Sequence, residues 1–249
     1  MSKSADNPVV ARAIRPTSAP RGGATQARLR EFGAWIAEGK LPEVIPTHQE
    51  RSLRTALAML EAGHELLVDR ALDDLSVEAV CQHAGTTVGA FYGRFENKHA
   101  FFVTLQRMQI IRSQIKLSAY VEREPAGDAS DASDGGFSAL CRELVVLTVG
   151  NFTENVGVMR ASLQHAREGM WAPYIDSGIR YRAALIVKLS PFLSHIAPKR
   201  RKLRILFAYQ AVAGVLVHAL LNNPGPLGIG DEAMISELAR LMEAYLLAP

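Results

Sequence analysis

The feature that most constrains the fold is a pair of short amphipathic stretches joined by a glycine, in the sequence SVEAVCQHAGTTVGAFYGRFENK that begins at position 76. In the first stretch Val77, Val80 and Cys81 recur at helical spacing, so one face of this helix is apolar. Ser76 has the side chain of an N-cap residue. Gly85 permits the left-handed backbone conformation that ends a helix and turns the chain.

A second short helix is predicted directly after this turn, over the sequence VGAFYGRF, with Thr87 as its cap. Phe91 and Phe95 are four residues apart and can be buried together. The residues predicted to face outward are small, apolar or aromatic: Val88, Gly89, Tyr92 and Gly93. Two short helices joined by a tight turn, the second with an exposed aromatic, are the layout of a helix-turn-helix that binds DNA.

This stretch resembles the DNA-binding domain of the TetR/AcrR transcriptional regulators. The motif Ala-Gly-x-Thr-x-Gly-x-Phe-Tyr-x-x-Phe-x-x-Lys is matched by Ala84, Gly85, Thr87, Gly89, Phe91, Tyr92, Phe95 and Lys98. The resemblance extends upstream through Arg54, Ala58, Ala62, Leu66 and Leu67, and covers residues 47–102. It implies an all-α homodimer, in which an N-terminal three-helix helix-turn-helix DNA-binding domain is joined to a C-terminal helical ligand-binding and dimerisation domain. Thr86 and Val88 depart from the family pattern. Val88 removes a possible hydrogen-bond donor to a base or a phosphate, and the operator preference therefore stays open.

The DNA contacts implied by the resemblance lie on both short helices and just after them. Tyr92 is the first candidate, because its phenol can hydrogen-bond a phosphate while its ring packs against a sugar. Thr87 and the free amides of its helix can bind a phosphate, and Lys98 supplies a cation. Arg94 is a long donor that can read guanine or bind phosphate. The remaining candidates are Ser76 for phosphate, Glu78 for a base, and the groove-facing Val88, Gly89 and Gly93.

Each of these candidates also has a purely structural interpretation. Tyr92 can be packed at the domain surface, Thr87 can be a plain N-cap, and Arg94 can form a surface salt bridge. A solvated side chain is the corresponding interpretation for Lys98 and for Glu78.

The composition is that of a soluble globular protein, with 48% hydrophobic and 21% charged residues in a chain of 249. The seven histidines form no set with metal-ligand spacing, and the chain has no glycine-rich phosphate loop or nucleophile elbow. We therefore predict that the protein is not an enzyme and has no catalytic residue, metal or cofactor. Cys81 and Cys141 are interpreted as buried free thiols in a reducing cytoplasm, with a redox switch at Cys81 as the open alternative.

Charge is distributed unevenly along the chain. Residues 47–107 contain six basic and eight acidic side chains, a net charge of −2, whereas residues 1–30 contain six basic side chains and one acidic, a net charge of +5. Non-specific attraction to phosphates is therefore expected to come partly from the N-terminal tail.

Three domains are predicted. They are an N-terminal extension over 1–46, largely disordered with a short helix near 25–40; the DNA-binding domain over 47–107; and the ligand-binding and dimerisation domain over 108–249. In the extension Leu29, Phe32, Trp35 and Ile36 form an apolar stripe, which either docks on the protein's own surface or binds a partner.

The helices beyond the extension are predicted from capping residues, breaks and apolar periodicity. A capping box from Thr47 to Glu50 is expected to begin the first helix of the DNA-binding domain, and residues 122–136 are expected to form a mobile surface loop. The other predicted helices outside the helix-turn-helix cover 97–121, 137–154, 157–168, 171–196, 199–222 and 229–247.

The run 205–221 carries no charge and follows four basic residues at 199–202. It is either a membrane span at the lower limit of length or a helix buried in a helical core and a subunit interface, and we favour the second. In that interface Ala208, Ala211, Val215 and Ala219 would form a face of small residues. The family resemblance implies that the last two helices, 199–222 and 229–247, pair with those of a second subunit.

These features predict a cytoplasmic homodimeric regulator, a ligand-responsive repressor that binds a pseudo-palindromic double-stranded DNA operator and no membrane. The alternative is a helical scaffold or membrane-associated adaptor that uses the 25–40 helix and the 205–221 run. The effector is expected to be small and apolar or amphipathic. The residues predicted to line its pocket are Phe152, Met159, His165, Met170, Trp171, Tyr174 and Phe207.

Overall fold

A computed structural model describes residues 23–46, 49–123, 134–222 and 225–248. These residues form ten α-helices: α1 (Gly23–Ala37), α2 (Glu50–Leu66), α3 (Val77–His83), α4 (Val88–Tyr92), α5 (Lys98–Glu122), α6 (Asp134–Glu154), α7 (Val156–Gln164), α8 (Ala172–Leu189), α9 (Pro198–Asn222) and α10 (Glu232–Leu247). Short 3-10 turns follow α7 at Ala166–Glu168 and α8 at Pro191–Leu193. The predicted all-α class is confirmed.

The described part of the chain forms two compact units. The first contains the chain up to Ile111 together with Asn155–Trp171, and the second contains Arg112–Glu154 and everything from Ala172 onward. These units differ from the predicted domains. Helix α1, which was predicted to lie in a separate extension, belongs to the same unit as the helix-turn-helix. Helix α7, which was predicted to lie in the C-terminal domain, belongs to that unit as well. The long helix α5 also changes units at Ile111.

An aromatic cluster forms the centre of the first unit. The rings of Phe91, Phe95 and Phe101 lie 5.2 to 5.4 Å apart and are at most 1% exposed. Gly63 of α2 permits this packing, since a Cβ at that position would lie 2.5 Å from Cζ of Phe101. Phe91 and Phe95, which were predicted to be buried together, thus attach the second helix of the motif to Phe101 of α5.

The N-terminal helix α1 is part of this core. Leu29, Phe32 and Trp35 are 4%, 1% and 4% exposed and pack in the same cluster as the aromatic residues of the motif. The interpretation of the stripe as docked on the protein's own surface is therefore confirmed. The predicted disorder of the extension concerns mainly residues 1–22, which lie outside the described residues.

Helix α7 packs against the C-terminal end of α2. Gly157 makes this approach possible, because a Cβ there would lie 2.3 Å from the carbonyl oxygen of Leu67. The Arg160 guanidinium donates hydrogen bonds to the carbonyl oxygens of Leu67 at 3.0 Å and Val68 at 2.6 Å. Burial lowers the pKa of Arg160, an effect that Asp69 opposes. Carbonyl groups at the end of α2, which have no partner within the helix, are thus bonded by α7.

The second unit is built from α6, α8, α9, α10 and the end of α5. Arg204 of α9 is 7% exposed and donates to the carbonyl oxygen of Tyr245 at 2.6 Å and to that of Ala248, which attaches α9 to the end of α10. Between α6 and α8 the hydroxyl groups of Thr148 and Tyr181 are 2.6 Å apart.

Several helix limits differ from the predicted ones by a few residues. Helix α2 begins at Glu50 with Gln49 at the cap position, while Thr47 of the predicted capping box lies outside the described residues. The helix predicted over 171–196 ends at Leu189, because Pro191 begins a 3-10 turn. The predicted loop over 122–136 is shorter at both ends, since α5 continues to Glu122 and α6 begins at Asp134; residues 124–133 lie outside the described part.

Both cysteines are buried free thiols, as predicted. Burial raises the pKa of Cys81, with a smaller contribution from the Glu78 carboxylate. Burial raises the pKa of Cys141 to about 12, with a smaller contribution from Glu243. A raised pKa disfavours the reactive thiolate, which argues against a redox switch at Cys81.

Candidate nucleic-acid interface

Side-chain caps and a glycine turn define the two helices of the motif. The Ser76 hydroxyl accepts a hydrogen bond from the amide of Ala79 at 3.1 Å, and the Thr87 hydroxyl accepts one from the amide of Ala90 at 3.2 Å. Gly85, between them, has a φ of +65°, the left-handed conformation that favours glycine. The predicted caps and turn are confirmed, so Ser76 and Thr87 have structural roles whatever else they bind.

The second helix, α4, is short and exposes one aromatic side chain. Its five residues are followed by a tight turn in which the amides of Arg94 and Phe95 both donate to the carbonyl oxygen of Phe91, at 2.8 and 2.9 Å. Phe91 faces inward, whereas Tyr92 is 52% exposed and its ring meets that of Phe91 edge-on at 5.4 Å. The predicted outward direction of Tyr92 is confirmed.

The outer surface of α4 has two glycines that the protein's own packing does not require. A Cβ at Gly89 would have the Thr87 hydroxyl oxygen, 4.0 Å away, as its nearest neighbour, and a Cβ at Gly93 would make ordinary contacts at 3.5 Å. Gly93 also has an ordinary φ of −75°. Because Gly89 and Gly93 have no side chain, the backbone at these positions is open to close contact with a binding partner.

The other predicted contact residues are partly exposed and partly packed. Ser76, Glu78 and Thr87 are exposed, but Val88 is half-buried and packs against the core cluster. Val88 was predicted to face outward, and this is only partly right because its side chain covers apolar core residues. Lys98 is half-buried and its ammonium group donates to the carbonyl oxygen of Asp73 at 3.2 Å. Glu78 is solvated, which was its structural interpretation.

Arg94 does not extend away from the protein. Its guanidinium donates hydrogen bonds to the hydroxyl of Ser52 on α2 and to the carbonyl oxygen of Gly93. In this arrangement the guanidinium is directed neither towards a base nor into the predicted surface salt bridge, and the predicted phosphate contact stays a prediction. Ser52 was missed by the sequence analysis, since no periodicity connects a serine on α2 with an arginine 42 residues later.

Exposed cations near the motif are partly compensated by acids. Arg54 pairs with Glu50 at 2.7 Å, and Arg28 pairs with Glu61 at 3.5 Å. His83 contacts Glu65 at 2.8 Å. Several exposed cations of the first unit are thus paired with acids, and the net charge over 47–107 is −2.

The seven predicted pocket residues are divided between the two units. Met159, His165, Met170 and Trp171 belong to the first unit, and Phe152, Tyr174 and Phe207 belong to the second. His165 lies 3.0 Å from Glu168 and 3.5 Å from Asp73. Phe207 is 50% exposed and its ring lies 5.3 Å from that of Tyr245, so it does not line an interior cavity of its unit. Phe152 and Met159 are buried.

No group of three or more histidine, cysteine, aspartate or glutamate side chains among the described residues could hold a metal ion. The geometry instead defines a helical protein with a helix-turn-helix, in which the second capped helix, α4, presents a small, uncharged surface and one exposed phenol. That arrangement is the one used to contact a DNA groove and its phosphates.

Comparison with known proteins finds matches to the helix-turn-helix region and to about half of the chain. The model of the bacterial regulatory proteins of the tetR family matches residues 59–105. The uncharacterized HTH-type transcriptional regulator YwcC of Bacillus subtilis (strain 168) is 38% identical over 58 residues, 23% of this chain and 26% of the relative. The HTH-type transcriptional regulators EthR of Mycobacterium tuberculosis (H37Rv) and of Mycobacterium bovis are each 27% identical over 134 residues, 52% of this chain and 59% of the relative.

Residues 59–105, which contain the helix-turn-helix, therefore match the tetR family of bacterial regulatory proteins, and these relatives are HTH-type transcriptional regulators. The matches of this chain span 26% to 59% of the length of these curated relatives.

Proposed function

We propose that this protein is a cytoplasmic, homodimeric repressor that binds a pseudo-palindromic DNA operator through α3 and α4 and responds to a small ligand. The observation that carries the proposal is the outer surface of α4, where exposed Gly89 and Gly93 stand beside a 52% exposed Tyr92. Bare backbone allows the close approach of DNA, and a phenol can donate to a phosphate. Two copies would place two such helices about 34–36 Å apart, in successive major grooves.

Base recognition by this surface would rest on shape and apolar contact. Among the exposed residues of α4 there is no side chain able to make a bidentate hydrogen bond to a base, since Arg94 is turned towards Ser52. Small and apolar groups can contact thymine methyl groups, and sequence-dependent deformability adds further selectivity.

The dimer contact is proposed on the apolar surface of the last two helices, which we call the α9–α10 face. It is formed by large apolar side chains that are each at least 37% exposed in one chain: Leu203, Phe207, Val215 and Leu221 of α9, and Leu241, Tyr245 and Leu247 of α10. An apolar groove of about 630 Å³ shares Val215 and Leu241 with this face, and its other lining residues include Leu227 and Leu238. Large exposed apolar side chains on two neighbouring helices support an interaction site here.

This face differs from the one predicted from sequence. Ala208 is fully buried within its own unit, and Ala211 and Ala219 are half-buried. Of the four predicted contact residues, Val215 is the one that is well exposed, at 40%. The difference arises because small residues on α9 also serve the packing of α9 inside one chain.

The alternative of a scaffold or membrane-associated adaptor rested on α1 and on α9. Helix α1 packs in the core of the DNA-binding unit. Among the described helices, α9 is long and apolar enough to cross a membrane by length and composition. Its buried Arg204 is bonded to the end of α10, which favours a packed helix of a soluble protein.

Ligand response is supported by the course of the chain. Helix α7 belongs to the DNA-binding unit, yet it directly follows α6 and is joined to α8 through the 3-10 turn at Ala166–Glu168, and both α6 and α8 belong to the second unit. A ligand that shifts α6 or α8 would therefore act on α7, and through Gly157 and Arg160 on the end of α2. A differential affinity of about 1–3 kcal/mol between two states is sufficient for such coupling.

The function is tested by Tyr92→Phe and Lys98→Ala, each of which should weaken binding to every duplex by about 1 kcal/mol, roughly fivefold, without changing sequence preference. The reason is that phosphate contacts fix position and carry no base code. Fluorescence anisotropy and binding-site selection measure both quantities. Arg180→Ala, which removes an exposed cation from the second unit, should bind as wild type. A new consensus for Tyr92→Phe or Lys98→Ala would contradict these roles.

A second prediction concerns the N-terminal tail. Because Leu29 is buried and Arg28 pairs with Glu61, we assign the proposed DNA arm to residues 1–22, which have four basic side chains and one acidic. Deleting them should lower affinity and flatten the slope of log K against log salt by about 0.9 for each phosphate that the tail neutralises in the wild-type complex. Replacing Lys3, Arg12, Arg15 and Arg21 with glutamine should have the same effect. Unchanged affinity at low salt would show that the tail is not a DNA arm.

A further inference from the structure

An extended segment before α2 pairs with the end of α4. The amide of Ile45 donates to the carbonyl oxygen of Arg94 at 2.8 Å, and Val44 forms an antiparallel bridge with Phe95. Leu41 and Val44 are 1% and 2% exposed. Residues 41–46, which we call the brace, therefore lie against the point at which the chain leaves α4, and they precede the residues matched by the family model.

The brace is itself anchored at other points. Glu43 forms an ion pair with Arg107 of α5, with Oε1 and Nε 3.0 Å apart. On its N-terminal side, Gly39 has a φ of +70° and the amide of Lys40 donates to the carbonyl oxygen of Trp35 at 2.8 Å, which closes the end of α1. The brace thus connects the end of α4 to two larger helices of the same unit.

The side chain of Arg94 makes a second attachment. Its guanidinium donates to the hydroxyl of Ser52, which is 7% exposed near the start of α2, and to the carbonyl oxygen of Gly93. Arg94 therefore holds the end of α4 from two directions, with its main chain bonded to the brace and its side chain bonded to α2.

A helix of five residues needs such attachments. It has too few internal hydrogen bonds to be stable alone. Gly93, which directly follows α4, adds backbone freedom at its end. Phe91 is the one fully buried side chain of α4, and the half-buried Val88 packs beside it, so few contacts of its own fix the rotation and tilt of the helix.

We propose that Arg94 and the brace position α4 for operator binding, and that Arg94 is a positioning residue that reads no base. This proposal rests on the proposed DNA-binding role of α4. In this proposal residues 41–46 of the N-terminal extension contribute to DNA binding by holding α4 in position, and they do not contact DNA themselves.

The test uses the full-length protein and the duplex that the wild-type protein selects from a random pool. Ser52→Ala and Arg94→Met should each weaken binding to that duplex about fivefold. The double variant should be no weaker than Arg94→Met, because both changes remove the same hydrogen bond. Arg94→Lys should recover part of the affinity, since an ammonium group can donate to a hydroxyl. Arg54→Ala is the control, because it removes a guanidinium from α2 that does not contact the end of α4, and it should bind as wild type.

Binding-site selection provides the readout that separates positioning from base reading. All Ser52 and Arg94 variants should select the wild-type sequence. A changed base preference for Arg94→Met with an unchanged one for Ser52→Ala would overturn the proposal. Additive losses in the double variant, or wild-type affinity for both single variants, would also overturn it.

The brace is tested by a matched pair at position 45. Ile45→Pro removes the amide that donates to Arg94 and should weaken operator binding about fivefold, whereas Ile45→Ala keeps the amide and should bind as wild type. Equal affinities for the two variants would contradict a role for this hydrogen bond.

Hydrogen exchange distinguishes failure of this proposal from failure of the proposed function. If the wild-type protein selects no sequence, the proposed function fails. The amide of Phe95 donates to the carbonyl oxygen of Phe91 at the end of α4. Its hydrogen-exchange rate then tests, without DNA, whether the brace holds the end of α4 in place. Faster exchange in Ser52→Ala and Ile45→Pro supports the brace, and unchanged exchange overturns it.

Discussion

Val215→Arg is expected to give a folded monomer that no longer binds operator DNA. Val215 is 40% exposed in one chain, so an arginine there can remain solvated in the protomer. In the proposed dimer the residue lies on the α9–α10 face, and the two-fold symmetry would bury two such charges at once. An unpaired buried charge costs about 3–5 kcal/mol, which weakens the dimer by roughly 150-fold to a few thousandfold. One protomer covers only a half-site, so operator binding should be lost with the dimer.

Val146→Arg is the matched control for this prediction. Val146 is 44% exposed on α6 and lies outside the α9–α10 face, so the same substitution should leave a dimer with wild-type affinity. Sedimentation velocity measures the association state, and fluorescence anisotropy measures operator binding. A fully dimeric Val215→Arg protein that still binds operator would show that the dimer contact is elsewhere.

Gly157→Ala is expected to have the largest effect on stability. The added Cβ would lie 2.3 Å from the carbonyl oxygen of Leu67 and 2.4 Å from its carbon, and both atoms are backbone. Neither α2 nor α7 can relieve this contact by a side-chain rotation, so the two helices must separate. Overpacking of this kind costs about 3 kcal/mol, which corresponds to a fall in Tm of roughly 6–12 °C for a chain of this size.

Gly150→Ala on α6 provides the control. A Cβ at Gly150 would meet no atom within 4 Å, and alanine is a better helix former than glycine by about 0.5–1 kcal/mol. Thermal unfolding should therefore show opposite shifts for the two glycine-to-alanine variants. A Gly157→Ala protein as stable as wild type would mean that α7 does not pack closely on the end of α2.

The local features of the motif could be predicted from sequence because each depends on a few neighbouring residues. Ser76 and Thr87 cap helices through amides three residues later, and Gly85 supplies a conformation that other residues disfavour. The apolar stripe of α1 was also sufficient to predict that this helix docks on the protein's own surface.

Features that depend on distant residues could not be predicted in the same way. The acceptor of Arg94 is a serine 42 residues earlier, and the neighbour of Gly157 is the backbone of a helix about ninety residues away in sequence. The predicted pocket residues illustrate the same limit. Periodicity marks which faces of a helix are apolar, but it does not show whether Met159 and Phe207 belong to the same unit.

The central claim, that two copies of α4 bind an inverted repeat, is tested most directly by selecting duplexes from a random pool with the wild-type protein and footprinting the enriched sequence. The account predicts salt-sensitive binding to an inverted repeat, with half-site centres separated by about one helical turn, 10–10.5 base pairs, or a multiple of it. Enrichment of a single unrepeated site bound by a monomer, or no enrichment from the pool at all, would contradict it.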